Sequence, residues 1–250
     1  MTNNGKKLAL ICLTLFSTAL FGCASVPPAE RSPRDPWQRM NRATFHFDMQ
    51  FYNHVATPVA RTYVRVVPHP IRLGIRNFFS NLEYPIVIVN DLLQGKIEDF
   101  ARDTGRLVVN TTLGIGGLFD PAVHMGLPRD DRDFGQTFGK WGIGTGPYLV
   151  LPFLGPSDVR DAIGLVPAEY ATPMHYVQNT WADWSTRAVD LLNTDQKMQP
   201  TIRLIRQASA PYTFARYVYL AQRRYMVQGM RQQQNDAEQE LKQLQDGGGN

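Results

Sequence analysis

Val177-Gln178-Asn179-Thr180-Trp181-Ala182-Asp183-Trp184-Ser185-Thr186-Arg187-Ala188-Val189-Asp190-Leu191 decides the fold class. Val177, Trp181, Trp184, Ala188 and Leu191 recur at i, i+4, i+7, i+11 and i+14, which is one face of a helix. Asn179, Asp183, Arg187 and Asp190 fall elsewhere on the wheel. A tryptophan stripe of this kind packs into a core or, in a membrane-attached chain, against lipid.

The same period returns on both sides. A helix is expected from near Pro211, carrying Phe214, Tyr217 or Val218, Ala221 and Tyr225. Beyond Arg231 the chain is Gln-rich and polar on all sides, so 231–250 predicts a solvated or disordered tail. Upstream, Ile97, Phe100 or Ala101, Thr104, Leu107 or Val108 and Thr111 fit a helix. So do Ile71, Ile75, Phe78 or Phe79 and Leu82, and Pro58 opens a short helix with Val59, Tyr63 and Val66 or Val67. Ile86-Val87-Ile88-Val89 alone favours strand on propensity. Asp35-Pro36-Trp37 predicts an N-cap with proline in the first helical turn. Phe45, Phe47, Met49 and Phe51 then alternate as in a strand, but they also fit a helix wrapped in aromatics, which the cap favours and which suits apolar surroundings. Helical periods dominate, with neither an internal repeat nor a domain boundary, so an all-α domain is expected over 35–230.

Leu20-Phe21-Gly22-Cys23 decides where that domain works. Lys6 and Lys7 precede the apolar run Leu8 to Phe21, and the four residues closing it resemble a lipobox. The run is too short to span a hydrocarbon core of about 30 Å comfortably, so 1–22 predicts a cleaved signal with Cys23 as the acylated residue. Three acyl chains, at about 0.8 kcal/mol per buried methylene, would hold the protein on a membrane lastingly. Ala24 to Arg34, with three prolines and no apolar period, extends Cys23 into a tether over 23–34.

Cleavage leaves 228 residues carrying 24 Lys and Arg against 22 Asp and Glu. That balance gives no case for nucleic acid. Cys12 leaves with the signal and Cys23 is acylated, so no disulfide and no thiol nucleophile is expected.

Catalytic signatures are missing. The histidines at 46, 54, 69, 124 and 175 show no metal spacing, so neither a metal nor a cofactor is expected. Gly114-Ile115-Gly116-Gly117 lacks the Gly-Lys-Ser/Thr end of a phosphate cradle and predicts a tight turn. Asp130, Asp131 and Asp133 are the candidates for paired-carboxylate work, although Arg129 and Arg132 between them favour a solvated loop. The second Gly-rich passage, with Gly135, Gly139, Gly142, Gly144 and Gly146, is costly as a regular helix, at about 1 kcal/mol per glycine. It predicts a loop, a movable hairpin, or a path where a ligand meets bare backbone.

Together the blocks resemble the MlaA/VacJ family of outer-membrane lipoproteins. They are Asp35-Pro36-Trp37 with Asn41-Arg42, Asn77-Phe78-Phe79, Asn90-x-Leu92-Leu93-Gln94-Gly95, and Asn110-Thr111 through Asp120. Asp133-Phe134-Gly135-Gln136-Thr137, Trp141 through Tyr148, Leu151-Pro152-Phe153-x-Gly155-Pro156 and Arg160-Asp161 follow. The resemblance runs from about Asp35 to Tyr225. It implies a ring of helices in the outer membrane around a polar channel, acting with a trimeric porin. Such a protein removes phospholipid from the outer leaflet and passes it to a soluble periplasmic carrier. The Gly-rich hairpin of the family gates that channel, which maps onto Phe134 to Tyr148. A channel-side helix maps onto 175–192, with Asn179, Asp183, Arg187 and Asp190. No catalysis is implied. The alternatives are a structural lipoprotein scaffolding porin or envelope assembly, and an envelope hydrolase using Asp130, Asp131, Asp133 and His175.

Overall fold

A computed structural model describes residues 32–176 and 201–247, with side chains except at Met174 and 230–247. Cys23 with the expected signal, and the helix expected over 177–191 with Asn179, Asp183, Arg187 and Asp190, fall outside the described residues.

Helix α1 (Gln38–Phe51) runs through a π-helical turn (Tyr52–Ala56) into α2 (Thr57–Val66). The widened turn ends just before Pro58, which has no N–H to give and a ring that crowds the preceding turn. Helix α3 (His69–Leu93) absorbs both Pro85 and the 86–89 run that propensity alone assigns to strand. Tertiary context overrides the β-branched residues here. Then come α4 (Ile97–Thr112), the short α5 (Pro121–His124) and α6 (Phe134–Lys140). A hairpin, β1 (Tyr148–Leu151) and β2 (Gly155–Asp158), leads into α7 (Val159–Ala171) and a 3-10 turn (Pro173–Tyr176). Residues 201–207 are helical. Helix α8 (Pro211–Gly247) kinks at Gly229.

The expected all-α class holds, with the two-stranded hairpin as its β element. One expectation fails. Trp37, not Asp35, precedes α1, and no side chain caps that helix; the Asp35 carboxylate is buried in the interior instead. The chain after Arg231 continues α8 to Gly247. Its Gln, Glu, Lys and Ala residues are good helix formers without any packing.

Solvent preference is inverted. Among the described residues, 17 polar or charged side chains are buried against 12 apolar ones, while 32 large apolar side chains are exposed. Helix α1 buries Gln38, Asn41, Thr44 and Asp48, and α4 buries Asp103, Arg106 and Asn110. The inward stripes therefore have helical spacing and polar chemistry. The largest fully buried side chains include Tyr148 and Val150, which pack with Tyr212 in the one apolar cluster among these residues.

Asn41 ties the hairpin to α1. Its Nδ2 donates to the Tyr148 carbonyl (2.9 Å) and its Oδ1 accepts from Val150 N–H (2.9 Å), so one side chain serves β1 as a neighbouring strand would. The Leu151–Leu154 turn closes with Leu154 N–H on the Leu151 carbonyl (3.2 Å) and places Phe153 at φ +67°. That left-handed residue would ordinarily be glycine. Phe153 is held there by the rings of Phe47 and Phe51, 5.2 and 5.0 Å away, and by its N–H on Asp48 (2.8 Å).

Candidate functional site

Several polar clusters fill the interior. The first joins α3, α4 and the loop before α6. Arg102 binds Asp99 (2.7 Å), Asp103 (3.0 Å) and Asp130 (3.3 Å). Arg132 binds Asp91 (3.0 Å), Asp99 (2.9 Å) and Asp130 (2.7 Å). Tyr84 donates to Asp103 (2.6 Å). Burial and the adjacent Asp103 carboxylate hold Asp91 above the usual carboxylate range. Asp91, Asp103 and Asp130 offer oxygens within 4.8 Å of one another. The two guanidiniums already supply positive charge there.

The second cluster lies between α6, α7 and α8. Arg223 clamps Asp133 through two nitrogens (2.6 and 2.8 Å) and also pairs with Asp161. Arg160 and Tyr219 complete the contacts to Asp161. These charge-assisted pairs hold the Asp133 carboxyl below its ordinary range, outweighing its partial desolvation. Asp133 also caps α6 by accepting from Gln136 N–H (2.8 Å). In the third cluster Asp35 accepts from Asn41 (2.8 Å), Arg216 (2.7 Å) and Tyr212.

The glycines predicted as one hairpin separate. Gly135 and Gly139 sit in α6, whereas Gly142, Gly144 and Gly146 lie in the 141–147 loop before β1. Sequence cost alone argued against a helix here; close packing of α6 on its neighbours offsets that cost. Gly114 to Gly117 form a tight turn. The N–H groups of Gly114, Gly116 and Gly117 return to carbonyls of Val109, Thr111 and Asn110, so none is left for a phosphate. The hydrolase quartet does not assemble: Asp130 and Asp133 serve different clusters, Asp131 is exposed beside Arg129, and His175 pairs with Glu169 (3.6 Å). Asp91 and Asp103 escaped the sequence search because it followed histidines and neighbouring acids, and these two acids are 12 positions apart.

A cavity of about 600 Å³ between α1 and the start of α8 is lined by Arg42, Phe45, His46, Met49 and Arg206 among others. A second, of about 340 Å³, lies against the 141–147 loop. Outside, the turn after α4 presents Leu113 (67% exposed), Ile115 (65%) and Phe119 (60%). Ile115 adopts φ +54°, rare for a β-branched residue, so the backbone is strained where the apolar tip faces outward. Placed in lipid, each such side chain gains about 1.5–3 kcal/mol. Replacing Leu113, Ile115 and Phe119 by serine in a Cys23→Ser background should release the protein from floated phospholipid vesicles. Unchanged flotation would remove this turn from the membrane surface.

A helical shell that hides aspartate and arginine and displays isoleucine, valine and tryptophan defines a lipid-surface protein of amphipathic helices. No helix among the described residues is long and apolar enough to cross a membrane. The family model "MlaA lipoprotein" matches residues 33–226. The "Intermembrane phospholipid transport system lipoprotein MlaA" of Shigella flexneri is 34% identical, over 89% of this chain and 90% of the relative. That of Escherichia coli is 33% identical over the same shares, and that of Haemophilus influenzae 29%. A solved structure described as "Structural basis for maintenance of bacterial outer membrane lipid asymmetry" aligns with TM-score 0.69 and 33% identity. It covers 79% of this chain and all of its own. The chain belongs to the MlaA lipoprotein family.

Proposed function

We propose that this protein removes phospholipids from the outer leaflet of the outer membrane and so maintains its lipid asymmetry. The carrying observation is the inverted distribution of polarity: an apolar exterior matched to acyl chains around a charged interior. A phospholipid has a charged head that costs several kcal/mol to drag through hydrocarbon. A leaflet-deep ring of helices with a wet centre lets the head pass while the tails stay outside. No bond is made or broken, so the protein is no enzyme. Cys23 carries the acyl anchor and the domain faces the periplasm. A trimeric porin holds the ring in place, and a soluble periplasmic carrier takes the lipid onward. The loop carrying Gly142, Gly144 and Gly146 is the movable gate, and Asn179, Asp183, Arg187 and Asp190 face the channel. The name of the Escherichia coli relative, an intermembrane phospholipid transport lipoprotein, supports this role.

The test is surface-restricted labelling of outer-leaflet phospholipid in cells lacking the protein. Phospholipid should accumulate and fall again on complementation. Absence of accumulation would sink the transport role.

A further inference from the structure

The 340 Å³ cavity beside the 141–147 loop is lined by four arginines, Arg34, Arg160, Arg223 and Arg224, and by Gly144, Thr145 and Gly146. Two of the arginines are engaged. Arg160 lies against Asp158 (3.8 Å) and Asp161 (3.1 Å), and Arg223 holds Asp133 and Asp161. Arg34 and Arg224 pair with no carboxylate among the described residues, and both are exposed. Positive charge is therefore in excess at the mouth while the floor is neutralised. The N–H groups of Gly144, Thr145 and Gly146 donate to no carbonyl of the described backbone. That contrasts with the turn at Gly114 to Gly117, whose N–H groups are used. Leu220 and Val227 form an apolar wall, and exposed Trp141 and Ile143 stand in the same loop.

We propose that this cavity binds the phosphodiester of a glycerophospholipid head group. Guanidinium planes grip two non-bridging oxygens at once, and a phosphodiester has one such pair and one negative charge. Arg34 and Arg224 supply that grip, and the free N–H groups of Gly144 to Gly146 complete the shell. The volume falls at the lower end of the roughly 300–1,000 Å³ of ligand pockets, enough for a head group but not for two long acyl chains. The chains leave over Leu220 and Val227 toward the outer surface. This site rests on the transport reading above and adds a station for the head beside the proposed gate.

The test uses the full lipoprotein in a phosphate-free maltoside detergent. The probe is dihexanoyl-phosphatidylglycerol below its micelle concentration, read by calorimetry, with dihexanoylglycerol and inorganic phosphate as comparators. The Arg34→Ala/Arg224→Ala variant should bind the probe at least about a hundredfold more weakly, about tenfold per lost charged contact. Arg34→Lys/Arg224→Lys should retain intermediate affinity, which separates lost charge from lost fold. Binding of dihexanoylglycerol should be weak and equal in all three proteins. Unchanged probe affinity in the alanine pair overturns the site. Inorganic phosphate binding as tightly as the lipid would assign it to free phosphate. Binding of a polyglutamate peptide, with no binding of the lipid, would assign it to an acidic protein partner. Intact head-group binding alongside a failed surface-labelling experiment would leave the site standing and remove the transport role.

Discussion

Gly135→Ala is expected to destabilise the protein by about 3–5 kcal/mol, while Gly144→Ala, nine residues on, changes stability by no more than about 0.5 kcal/mol. A Cβ built on Gly135 would lie 2.2 Å from Asp161 Oδ1 and 2.6 Å from Arg223 Nη2. Neither side chain can retreat. Asp161 is held by Arg160, Tyr219 and Arg223 together, and Arg223 is also bound to Asp133. Helix α7, which carries Asp161, is itself close packed here: a Cβ on Gly164 would come within 2.8 Å of Gly135 N. One methyl group therefore separates α6 from α7 or opens a buried ion cluster, the costlier of the two. At Gly144 no atom lies within 4 Å of the built Cβ, and its φ is not positive. Thermal unfolding in detergent should show a fall of roughly 6–20 °C for Gly135→Ala, at about 2–4 °C per kcal/mol for a domain of this size. Equal shifts for the two variants would mean that the clamp does not hold α6 in place.

Those glycines show what was legible in the sequence and what was not. Five of them in twelve positions look like one flexible element, because the cost of glycine in a helix is visible in the sequence and the packing that repays it is not. The helical period was legible throughout, since i, i+3 and i+4 spacing reflects backbone geometry whatever the surrounding solvent. The side that faces inward was harder. In α4 the apolar series through Ile97 and Leu107 or Val108 marks one face, yet Asp103, Arg106 and Asn110 are the residues buried. Apolar-inward is a rule for proteins in water, and the signs of another solvent were the tryptophan stripe of 177–191, the aromatics around α1 and the lipobox. Asp35 was misplaced as a cap because its partners Tyr212 and Arg216 lie 177 and 181 positions away. Several residues in the blocks that carried the family resemblance prove to be interior polar partners. Asn90 accepts from Thr137 (2.6 Å), Gln94 donates to Thr137 (3.0 Å) and Asn110 donates to Asp120 (3.1 Å). The motif residues thus hold neighbouring elements together, which is why they signalled the fold without revealing a reactive site.

Asp48→Asn should flatten the stability profile between pH 4 and 6 and make the protein about 3 kcal/mol more stable than wild type above pH 7. Asp48 is 4% exposed. Burial pushes its carboxyl from an ordinary 3.8 up to about 6, with the Phe153 N–H on Oδ1 holding it from rising further. Its second oxygen has no hydrogen-bond partner. The folded state therefore binds the proton more tightly than the unfolded chain does. Below pH 3.8 both states are protonated and the favourable contribution is complete. As pH rises from 3.8 through about 6 the unfolded chain loses its proton first, and native stability falls over that window. Above it the full cost of a buried carboxylate remains. Asparagine keeps an oxygen for Phe153 N–H and never ionises, so its advantage should be nil near pH 4 and reach a plateau above pH 6. Denaturant unfolding in detergent at pH 4, 5, 6 and 7.5 measures the difference. A constant offset across that range would mean that Asp48 titrates alike in the folded and unfolded chain, so that burial does not raise its carboxyl.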